Sequence, residues 1–400
     1  MNEISFSDRL KALKPFRVME IAEQARLLES QGRSIVHFEI GELDFPTAAP
    51  IVDRAKVALE NELTKYTGGN GLYELREKIS GQYFEMGIDI DPEQILITNG
   101  ASGGLLLLLA GLLDAGDHFL STDPGYPCHG AFASVIGTLI ENVTLKISAE
   151  FQPEPTEFES RWSDSVKGIL LSSPANPTGV IVQESTLKEL KGLADRKKGF
   201  LIVDEIYQGI NLSNSIYESA LVVDGEIFIL NSFSKYYAMT GWRLGWVVVP
   251  QETAEYFTRL AQNIFLAPNT ISQYAALEAF DDQCRAIHEN RVQIIDQRIR
   301  TLCGGLLNLG FTIPVKPAGG FYVFVDISHT GLDSHDFCLK MLIDHGVAIT
   351  PASDFSHHYG KDYVRFSCST ESVLHTLSRF PIAESQYNVP FEMEMLFKPE

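Results

Sequence analysis

The sequence predicts an α/β protein with two lobes, and three observations lead to that prediction. The chain has 400 residues, more than one hydrophobic core usually serves, so two units are expected. From residue 94 onward, short apolar runs alternate with helical runs, a pattern typical of a mostly parallel sheet covered by helices. After residue 307 the pattern changes to strands separated by a single helix, which indicates a smaller α+β lobe.

The elements follow from local periodicity and punctuation. Residues 19–31 carry apolar side chains at helical spacing and stop at Gly32, and residues 35–40 have the composition of a short strand. Further strands are predicted at 95–98, 118–121, 168–171, 200–203, 227–230 and 244–249, with helices at 105–113, 129–136 and 184–195. A long helical region at 250–307 precedes a strand at 321–327, a helix at about 334–345, and strands at 347–349 and 363–367. The tail at 384–400 has weak periodicity, and no role is assigned to it.

Composition excludes several classes of function. The net charge of −20 argues against non-specific nucleic-acid binding and against attachment to anionic membranes. Five scattered cysteines without a CxxC pair favour neither a disulfide framework nor a zinc site. The N-terminus lacks the apolar core of a signal peptide, and the longest apolar run, 105–113, is too short to span a bilayer. We therefore expect a cytoplasmic protein without a metal, nucleic-acid or membrane partner.

Lys235 is the first candidate for chemistry. It lies among hydroxyls and aromatic rings, and no other charged residue occurs between Glu226 and Arg243. Such surroundings favour the neutral amine, which can attack a carbonyl carbon. Taken alone, a lysine with its stem on an apolar surface and its head in water is the simpler interpretation.

Three turns after predicted strands add further candidates. Residues 98–104 are small and open a helix, which suits a phosphate at the helix N-terminus; the GxGxxG and P-loop patterns are absent, and a plain strand-to-helix turn remains an alternative. Asn176, in a turn with two prolines, and Asp204 follow adjacent predicted strands, at the edge where α/β sheets bind ligands. An ordinary proline-rich turn and a helix N-cap are the alternatives for these two residues.

Together these motifs resemble the class I/II aminotransferases of pyridoxal-phosphate fold type I. The resemblance is carried, in order, by SPANPTG at 173–179, DEIY at 204–207 and SFSKYYAMTGWRLG at 232–245, and it extends from about residue 38 to residue 367. It implies a large cofactor-binding domain at 46–284 with a seven-stranded, mostly parallel sheet. It also implies a smaller α+β domain built from both chain ends, with the N-terminal arm at 1–45 and the C-terminal part at 285–400.

The resemblance implies roles for individual residues, with pyridoxal 5'-phosphate as the cofactor. Lys235 would form the Schiff base and later move the substrate proton, and Asp204 would sit against the pyridine nitrogen. Tyr207 and Asn176 would hydrogen-bond the phenolic oxygen of the ring, on which Tyr126 would stack. The phosphate group would be held by Ala101, Ser102, Ser232, Ser234 and Arg243.

The resemblance also implies how substrate and subunits meet. Arg365 would grip the substrate α-carboxylate, helped by Asn176 and the backbone at Gly41. Tyr66 would reach the cofactor phosphate of a neighbouring subunit, which makes a homodimer the expected active unit. The expected reaction transfers an amino group between an α-amino acid and a 2-oxo acid.

Departures from the family pattern leave alternatives open. Leu43 stands where the family often has proline, and Ala352 where it often has glycine. The helix at 105–113 has no lysine of the kind that some aspartate-using relatives carry, so a dicarboxylate is not the expected donor. A lyase, racemase or decarboxylase on the same scaffold, a cofactor-binding regulatory module and a nucleotide-dependent enzyme built on residues 100–104 remain the alternatives.

Overall fold

The computed structural model describes residues 5–12, 16–213, 215–370 and 377–380. The tail at 384–400 lies outside the described residues. The helices are α1 Asp8–Ala12, α2 Arg17–Ser30, α3 Ala49–Glu60, α4 Tyr73–Glu85, α5 Gly100–Leu112, α6 Cys128–Ile136, α7 Pro155–Ser160, α8 Glu184–Arg196, α9 Ala254–Phe265, α10 Thr270–Ala276, α11 Asp282–Asn308 and α12 Ser334–His345. The strands are β1 Val36–Phe38, β2 Ile95–Thr98, β3 His118–Asp123, β4 Leu139–Thr144, β5 Val166–Ser172, β6 Phe200–Asp204, β7 Phe228–Ser232, β8 Gly245–Val248, β9 Tyr322–Asp326, β10 Val347–Pro351 and β11 Tyr363–Ser367.

The larger sheet has seven strands in the order β2-β8-β7-β6-β5-β3-β4. The β3, β4, β5, β6 and β7 strands pair in parallel, whereas β8 runs antiparallel to both of its neighbours. The expected α/β fold with a seven-stranded, mostly parallel sheet is confirmed. Because the parallel strands point the same way, their carboxyl ends meet along one edge.

Both faces of this sheet are buried, which explains the nearly continuous apolar runs in the sequence. On β5, Ile169 and Leu171 pack into the core shared with α3, α4 and α8. Leu170, between them, packs into the core on the opposite face with α5 and α9. Alternate side chains of one strand therefore serve two separate layers of helices.

The smaller sheet has four strands in the order β1-β10-β11-β9. The β1 strand, from the N-terminal part of the chain, pairs in parallel with β10, and the other pairs are antiparallel. Its core includes residues of the long helix α11, such as Ile295 and Leu302. Segments far apart in sequence thus build one unit, as expected for the smaller α+β part.

Several helices and strands of the structure were not predicted from the sequence. The β4 strand was not predicted, because LIENVT has a single buried residue, Val143, on an edge strand. The α3, α4 and α7 helices were not predicted either. Within the described ranges, none of the helices combines the length and apolar character that crossing a membrane demands.

Candidate active site

The carboxyl edge of the larger sheet collects several of the predicted site residues. In the strand register, Ser172 at the end of β5 lies opposite Asp204 at the end of β6, and Asp204 lies opposite Leu230 of β7. Asn176 follows β5 within four residues, and Ser232 is the last residue of β7. The alternation of strand and crossover helix therefore delivers an amide, a carboxylate and a hydroxyl to one place.

Asp204 is nearly buried and is paired with a histidine. Its Oδ1 accepts the backbone N–H of Ile206 at 3.1 Å, and its Oδ2 lies 3.6 Å from His129 Nε2. His129, on α6, is also buried, and its Nε2 makes no hydrogen bond within the described residues. A carboxylate held in this way can accept a hydrogen bond from a cationic ring nitrogen of a ligand.

Lys235 follows β7 and is held by the N-terminal part of the chain. Its Nζ donates a hydrogen bond to the carbonyl oxygen of Gly41 at 2.6 Å. Burial, reinforced by the guanidinium groups of Arg365 and Arg243, lowers the pKa of Lys235 from 10.5 to about 8. A substantial fraction of the amine is therefore neutral, and able to attack a carbonyl carbon, near physiological pH.

Arg365 lies on β11, and its guanidinium is buried beneath two aromatic rings. Its carbon Cζ lies 4.3 Å from the ring centre of Tyr322 and 4.5 Å from that of Phe355. Nη1 donates to Asn176 Oδ1 at 3.1 Å, and Nη2 donates to the carbonyl oxygen of Glu39 at 2.6 Å. Two aromatic faces and two fixed acceptors hold the planar group in one orientation, as bidentate recognition of a carboxylate requires.

Tyr207 and Tyr322 link the two sheets. Their hydroxyl oxygens are 2.9 Å apart, and burial raises the pKa of both side chains, so both stay protonated. The Tyr322 hydroxyl occupies the space that a Cβ atom at residue 41 would need. Gly41 is therefore required at this position because a side chain would collide with Tyr322.

An anion cradle lies at the N-terminus of α5. Arg243, in the left-handed backbone region with φ 54°, comes so close that a Cβ at Gly100 would lie 2.6 Å from its Nη2. Ser232 Oγ and Ser234 Oγ are 2.9 Å apart. A helix N-terminus without an acidic residue in its first turn, two hydroxyls and a guanidinium form a donor set that fits a phosphate group.

The remaining predicted residues occupy different places. Ala101 and Ser102 belong to the first turn of α5. Tyr126 precedes α6, and its ring meets that of His129 edge to face at 5.4 Å. Tyr66 is 81% exposed, in a loop tied to α10 by the hydrogen bond from Thr270 Oγ1 to the carbonyl of Lys65.

Sequence reasoning missed His129, Tyr322, Thr350 and Glu39 as members of this arrangement. His129 comes three residues after Tyr126, and this closeness was the available signal. Tyr322 opens a strand two residues after the pair Gly319-Gly320, a weaker signal. Thr350 Oγ1 and Arg365 Nη2 share the Glu39 carbonyl, and nothing local in the sequence indicates that contact.

The chain matches a known protein family over most of its length. The family model described as aminotransferase class I and II matches residues 33–380. The (5-formylfuran-3-yl)methyl phosphate transaminase of Methanocaldococcus jannaschii is 37% identical over 365 residues, which cover 90% of this chain and 94% of that protein. The valine–pyruvate aminotransferase of Mycobacterium tuberculosis is 33% identical over 355 residues, covering 88% and 91%.

A solved structure supports the same assignment. The crystal structure of an aminotransferase from Mycobacterium tuberculosis superimposes with a TM-score of 0.91 at 31% identity, and the match covers 94% of this chain and 98% of that chain. The cradle for a phosphate group, the carboxylate of Asp204 and the buried amine of Lys235 fit the phosphate, ring nitrogen and aldehyde of the cofactor that this family uses. The chain therefore belongs to the class I and II aminotransferase family and is a pyridoxal-phosphate-dependent aminotransferase.

Proposed function

We propose that Lys235 is the residue that binds the cofactor covalently and moves the substrate proton, and that Arg365 binds the substrate α-carboxylate. The main support is that one short segment holds both cations. Gly41 O accepts from Lys235 Nζ and Glu39 O accepts from Arg365 Nη2, each at 2.6 Å. An amino acid whose carboxylate is bound at Arg365 would then present its α-carbon near Lys235.

The other residues would hold the cofactor in place. Ser232, Ser234, Arg243 and the first turn of α5, with Ala101 and Ser102, would bind the phosphate. Asp204, whose Oδ1 is fixed by the backbone N–H of Ile206, would keep the ring nitrogen protonated. Tyr126 would cover one face of the ring.

Asn176 and Tyr207 would serve the phenolic oxygen. Asn176 Oδ1 accepts from Arg365, which leaves the amide N–H groups of Asn176 to donate to the cofactor. Tyr207 can donate to the phenolic oxygen while accepting from Tyr322. These donors would favour the ionised phenolic oxygen.

When bound, pyridoxal phosphate supplies an aldehyde that accepts the amino group and a ring that stores the electron pair released at the α-carbon. Lys235 Nζ, in its neutral form, would remove the proton from the α-carbon of the substrate. It would then deliver this proton to the carbon that carries the aldehyde in free pyridoxal phosphate. Arg365 would hold the carboxylate through this transfer, and with it the orientation of the α-carbon. The donor would leave as a 2-oxo acid whose new carbonyl oxygen comes from water, and its amino group, kept at the cofactor, would then be passed to a second 2-oxo acid.

We further propose a homodimer in which Tyr66 contacts the cofactor phosphate of the partner subunit. Asn269 and Arg243 line a cavity of about 550 Å³, and Asn269 begins the same α10 turn that ties down the Tyr66 loop. Tyr66 itself points to solvent in the single chain. A second chain covering this cavity would bring its own Tyr66 loop to Arg243.

We also propose the bounds of the two domains and the cellular location of the protein. The cofactor domain is proposed at 46–284 and the smaller domain at 1–45 and 285–400, in keeping with the separate cores of the two sheets. A cytoplasmic location is proposed because the five cysteines of the sequence are unpaired, as a reducing compartment favours.

The decisive test combines a variant with a screen. The Lys235→Ala protein should still bind pyridoxal phosphate without a covalent link, and it should lose transamination by at least about a thousandfold. Each amino acid is mixed with the wild-type protein, and conversion of the cofactor to its amino form is followed by absorbance. The named relatives act on different substrates, so this screen also identifies the donor.

Two results would contradict the proposal. Retained turnover in Lys235→Ala would show that another group moves the proton. Release of ammonia and oxo acid without formation of the amino form of the cofactor would favour elimination over transfer. Lys197→Ala, at the C-terminal end of α8, is a matched control that should behave as wild type.

A further inference from the structure

A chain of three charged side chains borders the active site at the edge of the smaller sheet. His37, on β1, makes a hydrogen bond through Nδ1 with Glu39 Oε1 at 2.8 Å and through Nε2 with Glu29 Oε1 at 3.1 Å. Glu29 lies on α2 and is partly exposed, whereas the Glu39 side chain is 0% exposed. The side chains of this arrangement, named here the Glu29-His37-Glu39 triad, have none of the roles proposed above.

The buried end of the triad is covalently continuous with the active site. Residues 39–41, named here the 39–41 segment, place the carbonyl of Glu39 on Arg365 Nη2 and on Thr350 Oγ1. The carbonyl of Gly41, two residues on, accepts from Lys235 Nζ. Any displacement of the Glu39 backbone therefore moves acceptors that orient both cations of the site.

The Glu39 carboxylate depends on His37 for its charge balance. Its second oxygen, Oε2, is buried and has no hydrogen-bond partner within the described residues. Arg365 contacts the backbone carbonyl of Glu39 and not its side chain. The carboxylate of Glu39 forms its ion pair with His37. A buried carboxylate that loses the cation beside it is strongly destabilised, so the Glu39 side chain, and with it the backbone, is expected to move.

The groups that face His37 all favour its protonated form. On its own strand the carboxylate is Glu39, and from α2 it is Glu29. The β10 strand, which pairs with β1, has the sequence VAITP and contains no titratable residue. The hydrogen bond to Glu39 is the main cause that raises the pKa of His37 from 6.5 to about 9. Burial opposes this rise, and the charge of Glu39 and the hydrogen bond and charge of Glu29 add to it.

We propose that the His37–Glu39 ion pair is a positioning device for the substrate-carboxylate site, and that amino-acid affinity falls when His37 loses its proton. The proposal rests on the proposed role of Arg365. His37 and Glu39 touch neither substrate nor cofactor; they act through the 39–41 segment. Since the folded-state pKa of His37 is raised to about 9, the charge of folded His37 is nearly complete at pH 7.5 and is lost as the pH rises through about 9. The stability that this charge gives to the folded chain is fully present below about pH 6.5 and is lost over the same rise.

The first test compares the pH profiles of wild type and Glu39→Gln. Glutamine keeps a hydrogen bond to His37 without a buried charge, so the segment no longer needs a cation. The KM of wild type for the amino donor, divided by the KM of Glu39→Gln, should be near one at pH 7.5. This ratio should rise about fivefold to tenfold by pH 10, because only wild type still needs the charge of His37. Ionisation of the substrate is common to both proteins and cancels in this ratio.

The second test asks whether Glu39→Gln restores the KM that is lost in His37→Gln. His37→Gln should raise KM about tenfold already at pH 7.5, with kcat changed less than about twofold, because the carboxylate of Glu39 then lacks its cation. The double variant His37→Gln with Glu39→Gln should return KM to within about twofold of wild type. A merely structural loss would not be repaired by a second substitution of this kind.

A binding measurement removes catalysis from the comparison. The dissociation constant of 3-phenylpropanoate, a carboxylate that has no amino group and cannot react, should follow the same pattern across the variants. His118→Gln is a matched control, since His118 pairs with Glu141 at the amino end of β3, away from the site. That variant should keep the wild-type KM at every pH.

The outcomes separate this inference from the proposed function. A flat KM ratio between pH 7.5 and 10, a wild-type KM in His37→Gln, or a failure of the double variant to recover would each overturn the positioning role. Arg365→Ala provides the reference. If it raises KM while the His37 variants do not, only this inference fails; if it leaves KM unchanged, the proposed carboxylate site itself fails.

Discussion

At the scale of single residues, the pKa of the proposed reactive amine, Lys235 Nζ, is set by what surrounds it. Burial is the main reason that the pKa of Lys235 falls to about 8, and the guanidinium groups of Arg365 and Arg243 lower it further. Glu42 acts in the opposite direction. An ordinary lysine amine has almost no neutral fraction near physiological pH, whereas the lowered pKa gives Lys235 a substantial one.

This lowered pKa leads to an expected rate profile. Covalent capture of pyridoxal phosphate by the cofactor-free protein should rise about tenfold per pH unit up to about pH 8 and then level off, because only the neutral amine attacks. Capture is measured by borohydride trapping and mass spectrometry. Nα-acetyl-lysine amide serves as the reference amine, and a profile for the protein that still rises near pH 10 would show that Lys235 is not desolvated.

The sequence was sufficient for some of these residues and insufficient for others. Lys235, Asp204 and Asn176 each lie in a short run after a strand, so local pattern and family resemblance indicate them directly. Tyr322 and Glu39 contribute through partners that are distant in sequence, as in the contact of Glu39 with Arg365, 326 residues away. No local period or motif encodes such a contact, because only tertiary packing brings the segment that contains Glu39 next to β11.

At the scale of elements, α11 carries a buried imidazole, His288, that has no hydrogen-bond partner in the described part of the chain. His288 is 0% exposed, and neither of its ring nitrogens has a hydrogen bond within the described residues. Its ring packs against those of Tyr236 and Tyr237, at centroid distances of 5.2 and 5.4 Å. Burial, with a smaller effect of Arg291, lowers the pKa of His288 from 6.5 to about 4.

His288 should therefore make the protein sensitive to acid. In the unfolded chain it binds a proton below about pH 6.5, whereas in the folded chain it does so only below about 4, so stability is lost as the pH falls through this window. His288→Leu should be more stable than wild type, and its advantage should grow by up to about 3 kcal/mol between pH 7 and pH 4.

Urea unfolding at several pH values measures this difference. His329→Leu, on a surface turn beside Phe311, is the matched control and should show no comparable gain. An advantage of His288→Leu that stays constant with pH would show that His288 does not titrate in this window.

Elements differ in how far their sequence determines them. The bounds of α12 and β11 agree with the pattern, because both have strong periodicity and clear punctuation. The β4 strand has mostly half-buried residues on a sheet edge, so its apolar signal is weak. The β8 strand runs antiparallel to both of its neighbours. The direction of a strand relative to its neighbours is not encoded in the residue pattern of that strand.

At the scale of the whole molecule, the proposed dimer is open to a complementation test. Tyr66→Ala should lose cofactor on dilution, and Lys235→Ala should be inactive. If Tyr66 acts on the partner subunit, a hybrid of these two variants contains one site with both wild-type residues. An equal, randomised mixture should then recover about a quarter of wild-type activity.

The alternative outcome is equally clear. If Tyr66 serves its own chain, each subunit of the hybrid is defective and the mixture stays as inactive as its parents. Tyr256→Ala replaces another exposed tyrosine, 68% accessible on α9, and should retain cofactor when diluted. Sedimentation before and after mixing shows whether subunits have exchanged.

The sequence by itself determined the family of this protein and the candidate residues for its chemistry. Lys235, Asp204 and the turn proposed to bind phosphate lie in short runs, each at the end of a strand, where a parallel sheet must place them on one edge. The tertiary structure decided how these groups are held. The triad of Glu29, His37 and Glu39 meets Arg365 only because β1 pairs with β10 and β10 with β11, and such pairing depends on the packing of the whole chain and not on any local pattern.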